Sequence, residues 1–168
     1  MASRAGRLSR VARTVYIETS IVSYLVARPS RDVVVLARQE LTQQWWSGRA
    51  NFELLVSDLV LQEASAGDPV EATKRLDALG GMRVLELSEE SIVLAEKLLR
   101  HSGLPAKASA DALHVAVSIV HGLDYLLTWN CTHIANASIR RRIEGICRTE
   151  GFDPPIICTP EELAEEEP

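Results

Sequence analysis

Four polar residues, Glu18, Glu63, Asp111 and Asn130, could do chemistry together if the fold brings them to one place. Three of them are acids, and acids crowded together repel. Without a cation their pKa values rise at the expense of the fold. A hard divalent ion removes the conflict. Magnesium is held by a few carboxylates, keeps several waters and works beside substrate phosphates. A site with Glu18, Glu63 and Asp111 as ligands therefore points to phosphoryl chemistry by metal-assisted hydrolysis. The ion would activate a water and steady charge on the phosphate and the departing oxygen. No nucleophile competes for the role: there is no Ser on a GxSxG elbow, no P-loop, and no Cys set against a His by helical or strand spacing.

Each residue has a plainer reading beside this one. Glu63, in LVLQEASAG, could be an ordinary helix-surface acid. Glu18 could be a helix-start acid for the segment after it, and Asn130, in TWNCTH, a turn residue. Asp111 has the fewest plain explanations. It sits among Ala, Leu and Val, one turn before Val115, on what should be a packed face, where a carboxylate needs a partner or a metal. Its plain partner would be His114 at i+3. Three further residues are candidates for substrate contact. Thr19 could support the metal shell or cap the next helix, as could Ser20, for which a cap is favoured. Lys107 could reach a phosphate but reads more simply as a solvated helix-start lysine. His133 shares the loop of Asn130, where a structural role is the simpler one. His101, His121, Trp45, Trp46 and the cysteines read as structural.

The elements must do the positioning. Residues 14–17 (TVYI) read as a first strand, and 21–27 as an apolar helix that stops before Pro29. Residues 31–49 place Val34, Ala37, Leu41 and Trp45 at intervals of three and four, the mark of an amphipathic helix. A second strand, 52–57, is followed by a helix over 58–66 that ends at Gly67. A helix over 69–79 has Asp68 as N-cap and Pro69 at its first position. A third strand covers 83–87, and Ser88 then caps a helix whose first turn carries Glu89 and Glu90. A helix over 106–121, stopped by Gly122, leads to a fourth strand at 124–128. A helix over 137–150 holds Arg140, Arg141 and Arg142. These could form a local RNA patch, although most such runs are solvated faces. A short strand at 156–158 and a terminal turn opened by Thr159-Pro160-Glu161 close the chain.

Strands alternating with helices predict a parallel sheet covered on both faces. Such sheets take ligands at the carboxyl edge of their strands. Glu18 directly follows the first strand, and Asn130 lies just past the fourth. Glu63 is about one turn into the helix leaving the second strand. Asp111 is early in the helix that runs back to begin the fourth strand, so it stands over that strand's far end. All four converge on one edge.

Composition limits the rest. The 168 residues are 46% hydrophobic and 24% charged, which fits one ordinary globular domain. No apolar run approaches the ~20 residues of a membrane helix. The start, 1–13, carries Arg4, Arg7, Arg10 and Arg13 and lacks the apolar stretch of a secretion signal. It reads as a flexible basic tail or a mis-assigned start rather than a transit peptide. Cys131, Cys147 and Cys158 have no CxxC spacing, so a reducing, cytoplasmic setting is expected. The acidic tail, 161–168, is expected to fray. It holds five of the 23 acids, and without it 18 acids face 18 bases. A neutral body does not hold nucleic acid by bulk charge, so any such role must rest on a local patch or on chemistry.

Four segments carry a family resemblance: VYIETSIVSYL, LVLQEAS, the block ASADALHVAVSIVHGLDYLLTWN, and PIICTPEEL. Together they resemble PIN-domain ribonucleases, in particular VapC-type toxins of toxin–antitoxin pairs. The resemblance spans 14–163, with the PIN domain taken as 14–160. It implies an α/β fold of three α/β/α layers around a central parallel sheet of four to five strands. By position, Glu18 stands where the family usually has its first Asp. Glu63 matches the second acid, Asp111 the third, and Asn130 the fourth, which is often Asp. The activity implied is a magnesium-dependent endoribonuclease, with manganese able to substitute. Its substrate would be RNA, often transfer RNA, its partner a cognate antitoxin, and its usual state a homodimer. Two departures follow. Glu18 is one methylene longer than Asp, where magnesium demands tight geometry. Asn130 is neutral, which suits one firmly bound ion better than two. These departures motivate an alternative, a PIN fold that has lost catalysis and serves as a binding module. A magnesium phosphohydrolase for small phosphate esters is a third reading, weakened by the lack of a nucleophilic Asp in a DxD context.

Overall fold

The computed structural model describes residues 12–164. The expectations for residues 1–11 of the basic start and for the last four residues lie outside that range, while Arg13, expected in the basic tail, opens the first strand. Five strands, β1 (Arg13–Ile17), β2 (Phe52–Ser57), β3 (Arg83–Leu85), β4 (Tyr125–Leu127) and β5 (Ile156–Cys158), form one sheet in the order β3-β2-β1-β4-β5. Every pairing is parallel, with Val15 opposite Leu54 on one side and Tyr125 on the other. Strands buried on both faces must be apolar throughout. Val15, Tyr16, Ile17, Leu126 and Leu127 meet that demand and are sealed from solvent.

Helices α1 (Thr19–Val26), α2 (Val33–Gly48), α3 (Asp58–Ala64), α4 (Pro69–Leu79), α5 (Glu89–His101), α6 (Ser109–Val120), α7 (Ala137–Thr149) and α8 (Pro160–Ala164) flank the sheet. They pack as two sets: α1 against α2, α3 and α4, with α8 on α2, and α5 against α6 and α7. This is the predicted α/β/α arrangement. The caps explain several boundaries. Asp68 accepts from Val70 and Glu71 N–H at 3.0 and 3.1 Å, and Pro69 needs no donor at the first helical position. Ser88 accepts from Ser91 N–H at 3.2 Å and starts α5. Gly122, at φ +65°, turns the chain from α6 into β4. No helix of the described residues is long and apolar enough to cross a membrane.

Two expectations change. The helix predicted from residue 106 begins at Ser109, which leaves Lys107 exposed in the preceding turn rather than on the helix. The stripe predicted for α2 holds only in its second half. Trp45 is buried and Leu41 packs against the core, but Val34 is 62% exposed and Ala37 is exposed, while Gln39 and Thr42 are buried instead. The inner face is partly polar because it serves neighbours. Gln39 donates to Arg28 C=O and accepts from Ser30 N–H, both at 2.9 Å, which ties the α1–α2 loop to the helix. Thr42 accepts the indole N–H of Trp129 at 2.7 Å. Hydropathy spacing cannot anticipate a buried face chosen for hydrogen bonding.

Strand order reverses at β1, since the chain builds outward through β2 and β3 and then returns to lay β4 on the other side. Ligands of open parallel sheets bind at such a switch point, beyond the carboxyl ends. The residues that follow β1 and β4 therefore face the natural site.

Candidate active site

Glu18 continues directly from β1. Its backbone N–H still donates to Leu127 C=O at 3.1 Å, so β1 and β4 stay joined to the edge. Its side chain then caps α1. One carboxylate oxygen accepts from Ser20 N–H at 3.1 Å, and the other accepts from the Ser20 hydroxyl and, at 2.7 Å, from Thr128. The cap expected of Ser20 is thus made by Glu18. The Ser20 hydroxyl instead braces that carboxylate and accepts from Trp129 N–H at 2.8 Å. Glu18 is only 7% exposed. All its donors are neutral, and among the described residues it forms no ion pair.

Glu63 reaches the same point from α3. Its Oε2 accepts from the Thr19 hydroxyl and from His114 Nε2, the latter at 2.9 Å. Burial by itself would raise the Glu63 carboxyl. The hydrogen bond and charge of His114, helped by Thr19, outweigh it and hold the group below the ordinary carboxylate range. Ligand atoms of Glu18, Glu63 and His114 all lie within 4.8 Å of one another.

Asp111 does not join that group. Its side chain is about one-fifth exposed, not packed away as the apolar helix implied. One carboxylate oxygen accepts from the Asn130 amide at 3.0 Å, and the other meets His133 Nδ1 at 2.7 Å. Asn130 also accepts from His133 N–H at 3.0 Å, so the three form a closed set. His114, the expected plain partner of Asp111, points elsewhere, and His133 takes its place. The two groups are joined through Thr128, which donates to Glu18 and accepts from Asn130 N–H at 2.9 Å.

The donor set suits a hard cation. Glu18 and Glu63 present oxygen ligands at one edge, and a buried carboxylate with only neutral donors gains from a positive charge. Glu18 and Glu63 would hold the ion, with Asp111 and Asn130 beside them. The cysteines offer no competing chemistry. Cys131 and Cys147 are free thiols, and burial pushes the Cys147 thiol up to about 11, which keeps it protonated.

A model of the PIN domain family matches residues 15–130, well over half the chain. This protein belongs to the PIN domain family. The family resemblance read from its segments holds, and solved structures similar to it include VapC proteins. The crystal structure of VapBC2 from Rickettsia felis, bound to a DNA fragment from its promoter, contains a chain 15% identical to this one. It aligns with a TM-score of 0.57 over 87% of this chain and 98% of that one. VapC20 of Mycobacterium tuberculosis, described as a Sarcin-Ricin loop cleaving toxin, is 16% identical. It aligns with a TM-score of 0.50 over 67% of this chain and 86% of its own. No curated protein sequence matches.

Around Glu18 and Glu63 stand residues not expected there from the sequence: Thr128 on Glu18, His114 on Glu63, and Tyr16 and Ser57 hydrogen-bonded in turn behind His114. His114 accepted attention only as a partner for Asp111. Ser57 ends β2 and Thr128 directly follows β4, so both are open to the same edge argument that selects Glu18. Tyr16 carried no signal, because a tyrosine in a buried strand reads as core. The arginine run is divided. Arg140 is committed to Glu162 through two contacts at 3.0 and 3.2 Å, while Arg141 and Arg142 are exposed.

Proposed function

We propose that this PIN domain is a magnesium-dependent endoribonuclease, the toxin of a toxin–antitoxin pair, which hydrolyses RNA phosphodiesters with a metal-activated water. The observation that carries the reading is Glu18, a buried carboxylate held by neutral donors beside Glu63 at the switch point of a PIN sheet. A divalent ion there supplies the positive charge that activates water and steadies the departing oxygen. Glu18 and Glu63 are the proposed ligands; Asp111, expected from the sequence as a third, stands beside them with both oxygens engaged by Asn130 and His133, and Asn130 is the neutral fourth member. Thr19 serves by bracing Glu63. The structural likeness to VapC proteins supports RNA as the substrate class, with transfer RNA and ribosomal loops as the first targets to assay. It also supports an antitoxin partner; that the antitoxin blocks the site and that the working state is a homodimer are carried by the family resemblance alone. The free thiols of Cys131 and Cys147 suit a reducing, cytoplasmic setting.

The test is cleavage of RNA by purified protein freed of antitoxin. Cutting in magnesium or manganese, with only background cutting by Asp111→Ala, is the expected result. Intact RNA under both metals would sink the reading. A second reading, a PIN fold retained as a binding module, is favoured by one feature: both oxygens of Asp111 are already engaged by Asn130 and His133. Calorimetric titration with magnesium separates the two, since the binding module would show no saturable site.

A further inference from the structure

Behind Glu63 runs a chain of buried hydrogen bonds that metal ligation alone does not require. Glu63 Oε2 meets His114 Nε2 at 2.9 Å, and His114 Nδ1 meets the Tyr16 hydroxyl at 2.8 Å. The Tyr16 hydroxyl meets Ser57 Oγ at 2.7 Å, and Ser57 Oγ accepts from Val60 N–H at 3.3 Å. His114 is 1% exposed, and Tyr16 and Ser57 are sealed. The Tyr16 ring also stands edge-on to the imidazole at 5.9 Å.

The directions in this chain can be worked out. An ionised Glu63 only accepts, so His114 Nε2 must carry the proton between them. A neutral imidazole then accepts at Nδ1 from the Tyr16 hydroxyl, Tyr16 accepts from Ser57, and Ser57 accepts from Val60 N–H. Every link is satisfied in one direction. If the imidazole is charged, Nε2 is again a donor. In either case its lone pair is unavailable to a metal, although its position lies within the ligand cluster.

We propose that His114 is a positioning residue: its Nε2–H, held by the Tyr16–Ser57 hydroxyl chain, orients the Glu63 carboxylate for the ion and does not itself ligate it. This rests on the metal reading of the site. Partners of metal-binding carboxylates typically change metal affinity or activity by about 10- to 100-fold when removed. His114→Leu removes the donor. His114→Gln keeps one, since its amide nitrogen falls near the place of Nε2. Tyr16→Phe keeps the ring and cuts the chain.

Three measurements on the full chain decide it. Nitrogen NMR of the metal-free protein should show His114 protonated at Nε2. Calorimetric Mn2+ titration should show affinity lowered about 10- to 100-fold in His114→Leu, largely restored in His114→Gln and intermediate in Tyr16→Phe. Among the variants that cleave, the KM for RNA should stay unchanged while kcat falls. The pulsed EPR spectrum of bound Mn2+ should lack histidine nitrogen coupling. An unprotonated Nε2, a histidine nitrogen on the Mn2+, or wild-type Mn2+ affinity in folded His114→Leu and Tyr16→Phe would overturn the proposal. If the wild-type protein binds no Mn2+, the metal reading falls first, and that outcome is distinct from wild-type binding that the variants leave unchanged.

Discussion

At the scale of single residues, the site is organised by hydroxyls as much as by acids. Thr128 donates to the buried Glu18 carboxylate and accepts from Asn130 N–H, so it joins the two polar groups. Thr128→Val keeps the shape and removes both bonds. Hydrogen bonds to charged groups contribute about 1.5–3 kcal/mol, so the metal-free variant should lose stability of that order, read by urea denaturation. A change near zero would mean that water replaces the hydroxyl at Glu18. Asp111 and Glu18 exchange roles relative to the sequence reading. Asp111 looked hardest to explain without a metal, because its neighbours on α6 are apolar. In the fold a loop residue, His133, supplies a partner that no helical spacing could reveal. Glu18 allowed a plain helix-start reading, and it does cap α1. It is nevertheless the most buried of the three carboxylates, and its partners are neutral.

At the scale of elements, the end of the described chain is more structured than its acid content implied. Thr159 and Glu162 form a capping box. Thr159 Oγ1 accepts from Glu162 N–H at 3.3 Å, and Glu162 accepts from Thr159 N–H at 2.8 Å. Arg140 grips the same carboxylate from α7, so α8 docks where a frayed tail was expected. Thr159→Ala should lower stability by about 1 kcal/mol, measured as a shift in the denaturation midpoint. The charge on Glu162 has its own signature. Burial alone would raise its carboxyl, but Arg140 and the Thr159 donors outweigh burial and hold it below the ordinary range. A carboxyl depressed by folding stabilises fully above its unfolded pKa and loses that contribution as pH falls through the folded one. The stability gap between the native chain and Glu162→Gln should therefore be present at neutral pH and close in acid. A gap that persists in acid would show that the charge is not what matters. Elements whose ends carry local signals were legible in the sequence: α4 with Asp68 and Pro69, β2, and β5 match their expected ranges. The inner face of α2 was not, because Gln39 and Thr42 are buried to serve a loop and an indole that are distant in sequence.

At the scale of the whole molecule, the sheet order places the site. Reversal at β1 puts the carboxyl ends of β1 and β4 side by side, and Glu18 and Asn130 follow those strands. The frame depends on central strands buried on both faces. Leu126→Ala, at a fully sealed position on β4, should cost about 2–5 kcal/mol by urea denaturation. A loss below about 1 kcal/mol would mean that the layers collapse around the missing atoms. Much of this architecture was determined by the sequence alone. Alternating strand and helix signals, together with apolar central strands, dictate a parallel two-faced sheet, and the carboxyl-edge rule then places Glu18 and Asn130 beyond neighbouring strands. Pattern and spacing suffice there because they act within an element or between its ends. Partner choice was decided only by tertiary structure. His114 turns to Glu63 and Tyr16, His133 to Asp111, and Thr128 to Glu18, since hydrogen bonds between elements depend on how the layers stack and on which donors are left without water.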